Sequence, residues 1–317
     1  MVFRASSAIL ICLWITGAMM GGCSFGKSQQ QDLLKEYHKK IEMQKAALAK
    51  EEEKQIMAPE FGAKEYERLG NLYLTQGNID LAFLQYDKAL RMDPFRIHIR
   101  YKLGRLFLEK EMPEEAGREF QEILKVIPND ALAHEGMGRV YFKQANFAEA
   151  ERSFQRAINL KDNLWQAHNF LGIIYDLQAE FEKGVNEYKT AILLKPNSFM
   201  LYNNLGTSLL LKGDYEEAVS AFTEALTIEN SHKKIHNNLA LSLSKLGRYQ
   251  EAFEAFRKGK DEASAYYNLG QIYMKEGKCE KAIAAFEKAI EASPIFYFAA
   301  HKSLERAKSA ACALATK

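Results

Sequence analysis

A period of 34 residues governs most of this 317-residue chain. Seven dipeptides, each a leucine or methionine followed by glycine or alanine, begin at Leu69, Leu103, Met137, Leu171, Leu205, Leu239 and Leu269; five successive intervals are 34 residues and the last is 30. Spacing this regular points to one supersecondary unit stacked on copies of itself, because each copy buries its apolar face only against its neighbours. The chemistry repeats with the spacing. Four residues after each leucine or methionine comes a bulky side chain: Tyr73, Phe107, Tyr141, Tyr175, Leu209, Leu243, Tyr273. Thirteen after it comes a small one: Ala82, Ala116, Ala150, Gly184, Ala218, Ala252, Ala282. Four further on comes an aromatic: Tyr86, Phe120, Phe154, Tyr188, Phe222, Phe256, Phe286. The small residues let two helices of a hairpin approach closely, and the aromatics fill the gap between one hairpin and the next. Pro94, Pro128, Pro196 and Pro294 stop the second helix of their repeats, since proline lacks the amide donor and clashes with the preceding turn. Asp162 and Asn230 stand in its place in two repeats as turn or capping residues. With 19 glycines and six prolines in all, the chain is too poor in turn residues for an all-β protein.

Carried by these positions, residues 63–296 resemble the tetratricopeptide repeat family, as repeats 63–96, 97–130, 131–164, 165–198, 199–232, 233–262 and 263–296. The resemblance implies an all-α fold: a right-handed superhelical solenoid of seven helix hairpins, its concave groove lined by the first helix of each repeat. Residues 297–317 look like the capping helix and tail of such an array. The sixth repeat lacks four residues around Arg257–Glu262, with Gly259 where its second helix should end. A shortened second helix and a local change of curvature are expected there, as harmless loop drift or as a bend that shapes a partner site.

In this family the groove-facing positions lie two before, one before, two after and five or six after the repeat leucine. In the second and third repeats they hold Tyr101, Lys102, Arg105, Glu135, Arg139 and Lys143, a largely basic stretch with one aromatic. In the fourth to seventh they hold Asn169, Asn203, Asn204, Asn237, Asn238 and Asn268, with Phe170, Ile173, Leu177, Leu210 and Leu211 among them. An asparagine amide both donates and accepts, so a row of them suits the backbone of an extended peptide whatever its sequence. The row resembles the asparagine ladder in the tetratricopeptide region of O-GlcNAc transferase. The other reading is that these asparagines bond within and between helices. The carboxylate clamp of related chaperone-tail binders is not expected: Glu67 stands where its first lysine belongs, although Asn71 fits the next position.

The first 22 residues have the layout of a secretory signal. Arg4 precedes an apolar run from Ala8 to Met20, shorter than the ~20 residues a membrane span needs. Gly21 and Gly22 then lead to Cys23, an arrangement that resembles a bacterial lipobox, with Met20 where leucine is usual. The resemblance implies a diacylglycerol on Cys23 and, because Ser24 rather than aspartate follows, the outer membrane. An ordinary secreted protein or an uncleaved anchor is the alternative. Residues 23–62 read as lipidated cysteine, polar tether and a spacer helix able to hold the repeats about 40 Å from a bilayer. Cys279 and Cys312 have no metal-ligand spacing and either pair in an oxidising envelope or remain buried thiols.

No cofactor or metal is expected. HExxH is absent; GxSxG (Gly22–Gly26) and GxxxxGK[ST] (Gly21–Ser28) are each matched once, in one overlapping run across the lipobox and polar tether, outside the repeats; His232 and His236, four residues apart, lack an evident third ligand. The near-neutral formal charge of +2 gives no concentrated basic face for nucleic acid. The expected function is therefore non-enzymatic: a membrane-anchored envelope scaffold holding protein segments in its groove. Such lipoproteins resemble the pilotins of type IV pili and the assembly lipoproteins of tight-adherence (Flp) pili. That implies a role in pilus or secretion assembly, with a secretin or pilus component as partner. The alternative is an adaptor for a periplasmic protease, a cell-wall synthesis enzyme or a polysaccharide export machine.

Overall fold

The computed structural model describes residues 61–315, with Lys39, Glu42 and Met43 before them. The signal segment, Cys23, the tether and the remainder of the spacer helix lie outside the described residues. All regular structure among the described residues is helical. The chain divides into two compact units between Asp93 and Pro94.

In the first unit, α1 (Ala63–Thr75) and α2 (Ile79–Met92) pack as a hairpin. Tyr86 lies across Gly70, its ring 2.6 Å from where a Cβ on that glycine would stand, so only glycine admits it. The Tyr86 hydroxyl donates to Asn71 Oδ1 at 2.8 Å. Burial, with Glu67 nearby, pushes its pKa up to about 12. Asn71, which matched one position of the carboxylate clamp, thus accepts a hydrogen bond from the core.

The second unit continues the pattern. Its helices are α3 (Ile97–Glu109), α4 (Pro113–Val126), α5 (Ala131–Lys143), α6 (Phe147–Leu160), α7 (Trp165–Leu177) and α8 (Phe181–Leu194). They are followed by α9 (Phe199–Lys212), α10 (Tyr215–Ile228), α11 (Lys233–Lys245), α12 (Tyr249–Gly259), α13 (Glu262–Lys275), α14 (Cys279–Glu291) and α15 (Phe298–Ala315). Each helix packs on the next in chain order, and α15 covers the end of the array on α14. There Leu304 and Ala307 close over Phe286. α12 has 11 residues where the other second helices have 13 or 14, and it stops at the buried Gly259.

One backbone device joins the helices of every hairpin. The residue eight after each repeat leucine or methionine is left-handed: Gly77, Gly213, Gly247 and Gly277, but also Glu111 (φ 58°), Ala145 (φ 57°) and Ala179 (φ 59°). The next amide then bonds back five residues, as in Glu180 N to Tyr175 O at 2.8 Å and Asp214 N to Leu209 O at 2.9 Å. This closure satisfies the last carbonyls of the first helix.

The glycine after the repeat leucine or methionine receives the aromatic of the same repeat. A Cβ would stand 2.7 Å from Phe120 at Gly104, 2.7 Å from Phe154 at Gly138, 2.6 Å from Tyr188 at Gly172 and 2.8 Å from Phe222 at Gly206. Phe120 also lies 2.5 Å from the corresponding point on Gly136, so its ring fills the space between one repeat and the next. The sixth repeat departs from this rule, with Ala240 where the glycine stands elsewhere.

Successive first helices touch directly, α3 with α5, α5 with α7, α7 with α9 and α9 with α11. Successive second helices make no comparable contact. The first helices therefore sit closer together, on the inside of the curve. Within the second unit the row breaks at the shortened repeat, where α11 makes no comparable contact with α13.

Candidate functional site

The asparagines of α7, α9 and α11 form a continuous hydrogen-bonded chain across the first helices. Asn204 Nδ2 donates to Asn169 Oδ1 at 2.9 Å, and Asn238 Nδ2 donates to Asn203 Oδ1 at 3.3 Å. Asn203 Nδ2 donates to Asn204 Oδ1 at 3.4 Å and links the two rungs. Each rung runs from the residue before one repeat leucine to the residue two before the previous one, 35 positions apart. Asn169 is buried, 6 % exposed, and anchors the chain; Asn203, Asn204 and Asn238 are half-buried. Every amide carries a second N–H and a second carbonyl lone pair. The rungs fix the amide planes without exhausting their bonding capacity.

At the next junction the same two positions hold Asn237 and Asn268, but the four missing residues bring them to a separation of 31, and no hydrogen bond joins them. Asn237 turns its Oδ1 toward Gly259, where it stands 2.8 Å from the point a Cβ would occupy. Both asparagines line a cavity of 260 Å³ between α11 and α13, together with Leu241, Phe256, Gln271, Ile272 and Lys275.

The apolar candidates divide. Phe170 stacks on Phe154, with ring centroids 5.2 Å apart and planes at 4°, and so extends the core. Ile173 and Leu210 pack on the cluster around Phe222. Leu177 and Leu211 are exposed, 57 % and 56 %, and are available to a partner.

The basic stretch is more nearly neutral than its sequence implies. Glu135 is buried on α5, and burial raises its pKa while Arg139, Arg105 and Lys161 pull it back. Lys143 pairs with Glu111 at 2.6 Å. Tyr101 is half-buried, edge-on to Phe120 at 6.0 Å between centroids, and burial raises its hydroxyl pKa, with Glu135 adding to the effect. Arg105 is exposed; Lys102 and Arg139 are half-buried.

His232 and His236 do not converge as a ligand pair. His236 Nε2 lies 2.8 Å from Asn230 O and carries the proton it donates there, while the His232 ring packs on Phe199. Cys279 opens α14 as a free thiol, half-buried. The side chain of Cys312 lies outside the described residues.

A three-residue polar network escaped the sequence reading. Asp176 Oδ1 accepts from Ser208 Oγ at 2.6 Å, and its Oδ2 accepts from Tyr188 OH at 2.9 Å. Ser208 is fully buried and Tyr188 is 1 % exposed. Burial raises the Asp176 pKa against the two hydroxyls that lower it, and burial beside Asp176 drives the Tyr188 hydroxyl far up. The departure of Gly184 from alanine at its repeat position has its cause here: a Cβ would stand 2.7 Å from Asp176 Oδ1.

Comparison with known proteins agrees with this architecture. Tetratricopeptide repeat models match residues 67–133, 171–232 and 203–263, and further models of the same repeat match 131–164 and 263–296. No curated protein matches the sequence. Among solved structures, the C-terminal part of a TPR repeat-containing protein from Cytophaga hutchinsonii superposes with a TM-score of 0.57 at 15 % identity, over 75 % of this chain and 98 % of that one. A tetratricopeptide repeat protein from Parabacteroides merdae superposes with a TM-score of 0.52 at 14 % identity, over 78 % and 98 %. YrrB, described as a TPR protein with an unusual peptide-binding site, superposes with a TM-score of 0.50 at 20 % identity, over 60 % and 97 %. By its repeat chemistry, its helix pairing and these matches, the chain belongs to the tetratricopeptide repeat family.

Proposed function

We propose that this protein is a lipid-anchored scaffold of the bacterial envelope, facing the periplasm from the outer membrane. It holds an extended protein segment along the inner face of its first helices and assists the assembly of a pilus or secretion complex. The observation that carries the binding reading is the linked asparagine chain Asn238–Asn203–Asn204–Asn169. Amides already held in place lose little freedom when a partner backbone arrives, so more of the interaction appears as affinity. The exposed Leu177 and Leu211 offer the apolar contacts that flank such a backbone. The anchor rests on the sequence Gly21-Gly22-Cys23 behind its apolar run; no described helix is long and apolar enough to cross a membrane.

Affinity capture from detergent-solubilised envelopes tests the binding role. The wild type is expected to retain a secretin or pilus component. The double variant Asn203→Ala/Asn204→Ala is expected to lose it about tenfold while remaining folded, since each lost hydrogen bond costs about 1 kcal/mol. Equal capture by the double variant rejects the asparagine role, and recovery of proteases or wall enzymes instead redirects the scaffold to another machine. Replacing Cys23 by serine is expected to abolish palmitate labelling and release the protein from membranes. Persistent label rejects the anchor.

A further inference from the structure

The shortened sixth repeat opens the inner row of helices at one place, and we propose that this opening is a specificity pocket. Its occupant is an extended acidic peptide: one bulky apolar side chain enters against Leu241 and Ile272, and a neighbouring carboxylate meets Lys275. The inference rests on the groove reading above and names the chemistry of the segment held there.

Four observations converge on the opening. At the deletion α11 makes no contact with α13 comparable to those of α3, α5, α7 and α9 with their successors. The asparagine rung that spans the two preceding junctions is broken here, so neither Asn237 nor Asn268 spends its amide on the other. Gly259 makes the close approach possible: a Cβ there would meet Asn237 Oδ1 at 2.8 Å, and His236 Cβ and Lys233 O at 3.4 Å. Leu241, 41 % exposed, and the half-buried Ile272 form the open apolar wall of the cavity, which also reaches the buried Phe256.

The charge at this cavity selects the occupant. Lys275, in the last turn of α13, is exposed on the cavity wall and has no ion pair or hydrogen bond among the described residues. Gln271, on the same helix, also lines the cavity, and its Nε2 donates to Ser303 Oγ of α15 at 2.8 Å. The pocket therefore presents an apolar wall, two amides able to read a backbone, and one uncompensated cation. That set complements an extended segment with a large apolar residue close to Asp or Glu; a basic segment would meet Lys275 with like charge.

The experiment uses the full-length protein in detergent on an array of synthetic decapeptides in a Gly/Ser frame. Each peptide carries one of Leu, Phe, Ala or Lys, and one of Glu, Gln or Lys, at every spacing. The wild type is expected to retain Leu/Phe peptides with Glu about tenfold above their Gln or Ala counterparts. Lys275→Glu, a change on the surface that leaves the core untouched, is expected to reverse the preference from Glu to Lys. Asn268→Ala is expected to weaken all retained peptides alike. A preference that survives Lys275→Glu unchanged, or no preference for a large apolar residue in the wild type, overturns the pocket. If that happens while Asn203→Ala/Asn204→Ala still abolishes envelope capture, the groove reading stands and only the pocket falls.

Discussion

Phe222→Ala is expected to lower the stability of the second unit by about 4 kcal/mol. The ring is fully buried, lies over Gly206, and is surrounded by Val185 and Tyr188 of α8, Leu205 and Leu209 of α9 and Ile235 of α11. It thus touches the repeat before it, its own and the one after. In a repeat array each interface couples only neighbours, so the loss removes part of two couplings at once. Urea titration gives the magnitude, and hydrogen exchange locates it, with protection expected to fall first in α9, α10 and α11. A loss below 1 kcal/mol would show that the aromatic position is not the keystone inferred from its repetition. The same geometry makes a coupling prediction. Gly206→Ala alone places a methyl 2.8 Å from the ring and is expected to cost about 2 kcal/mol, whereas in the Phe222→Ala background the clash is gone and the cost falls to a fraction of that.

Asp176→Ala is the second large effect, expected at about 3 kcal/mol. Ser208 and Tyr188 would each lose a hydrogen-bond acceptor inside a water-poor junction, and Ser208 would be left only with Phe181 O at 3.5 Å. Leaving a buried hydroxyl unmatched costs far more than the net worth of the bond it made. Asp176→Asn separates charge from bonding. It keeps an oxygen acceptor and removes the carboxylate that burial disfavours, so its loss is expected to be under half that of alanine. Because the Asp176 pKa is raised in the folded state, the deficit of the Asn variant relative to wild type grows as pH falls through that pKa, where wild type is relieved of a half-buried charge. Equal losses for the Ala and Asn variants would mean that the network contributes through packing alone.

Much of this architecture was legible in one dimension. The leucine spacing, the small residue thirteen on and the aromatic seventeen on locate every hairpin, and the prolines mark where second helices end. The missing four residues announced a short α12. Other features were obscured. The left-handed residue of each turn is glycine in four repeats but Glu111, Ala145 and Ala179 in the other three, which masks the signal. Gly184 was visible as an exception, yet its reason, the Asp176 carboxylate, lies eight residues away in sequence on another helix. The asparagines were visible as a row, but not that Asn204 bonds Asn169 while Asn268 bonds nothing at the equivalent place.

The division has a physical origin. Repetition is a local property: each helix start, helix stop and apolar face follows from residues within one repeat, so the sequence by itself determined the all-helical fold, the hairpin pairing and the aromatic core. Hydrogen bonds between side chains some 35 residues apart depend on the distance and rotation between packed helices, to within about half an ångström. Only the tertiary structure decided which asparagines closed into rungs, that the carboxylate of Glu135 is buried and that of Asp176 half-buried, and that the shortened repeat left a cavity lined by Leu241 and Ile272.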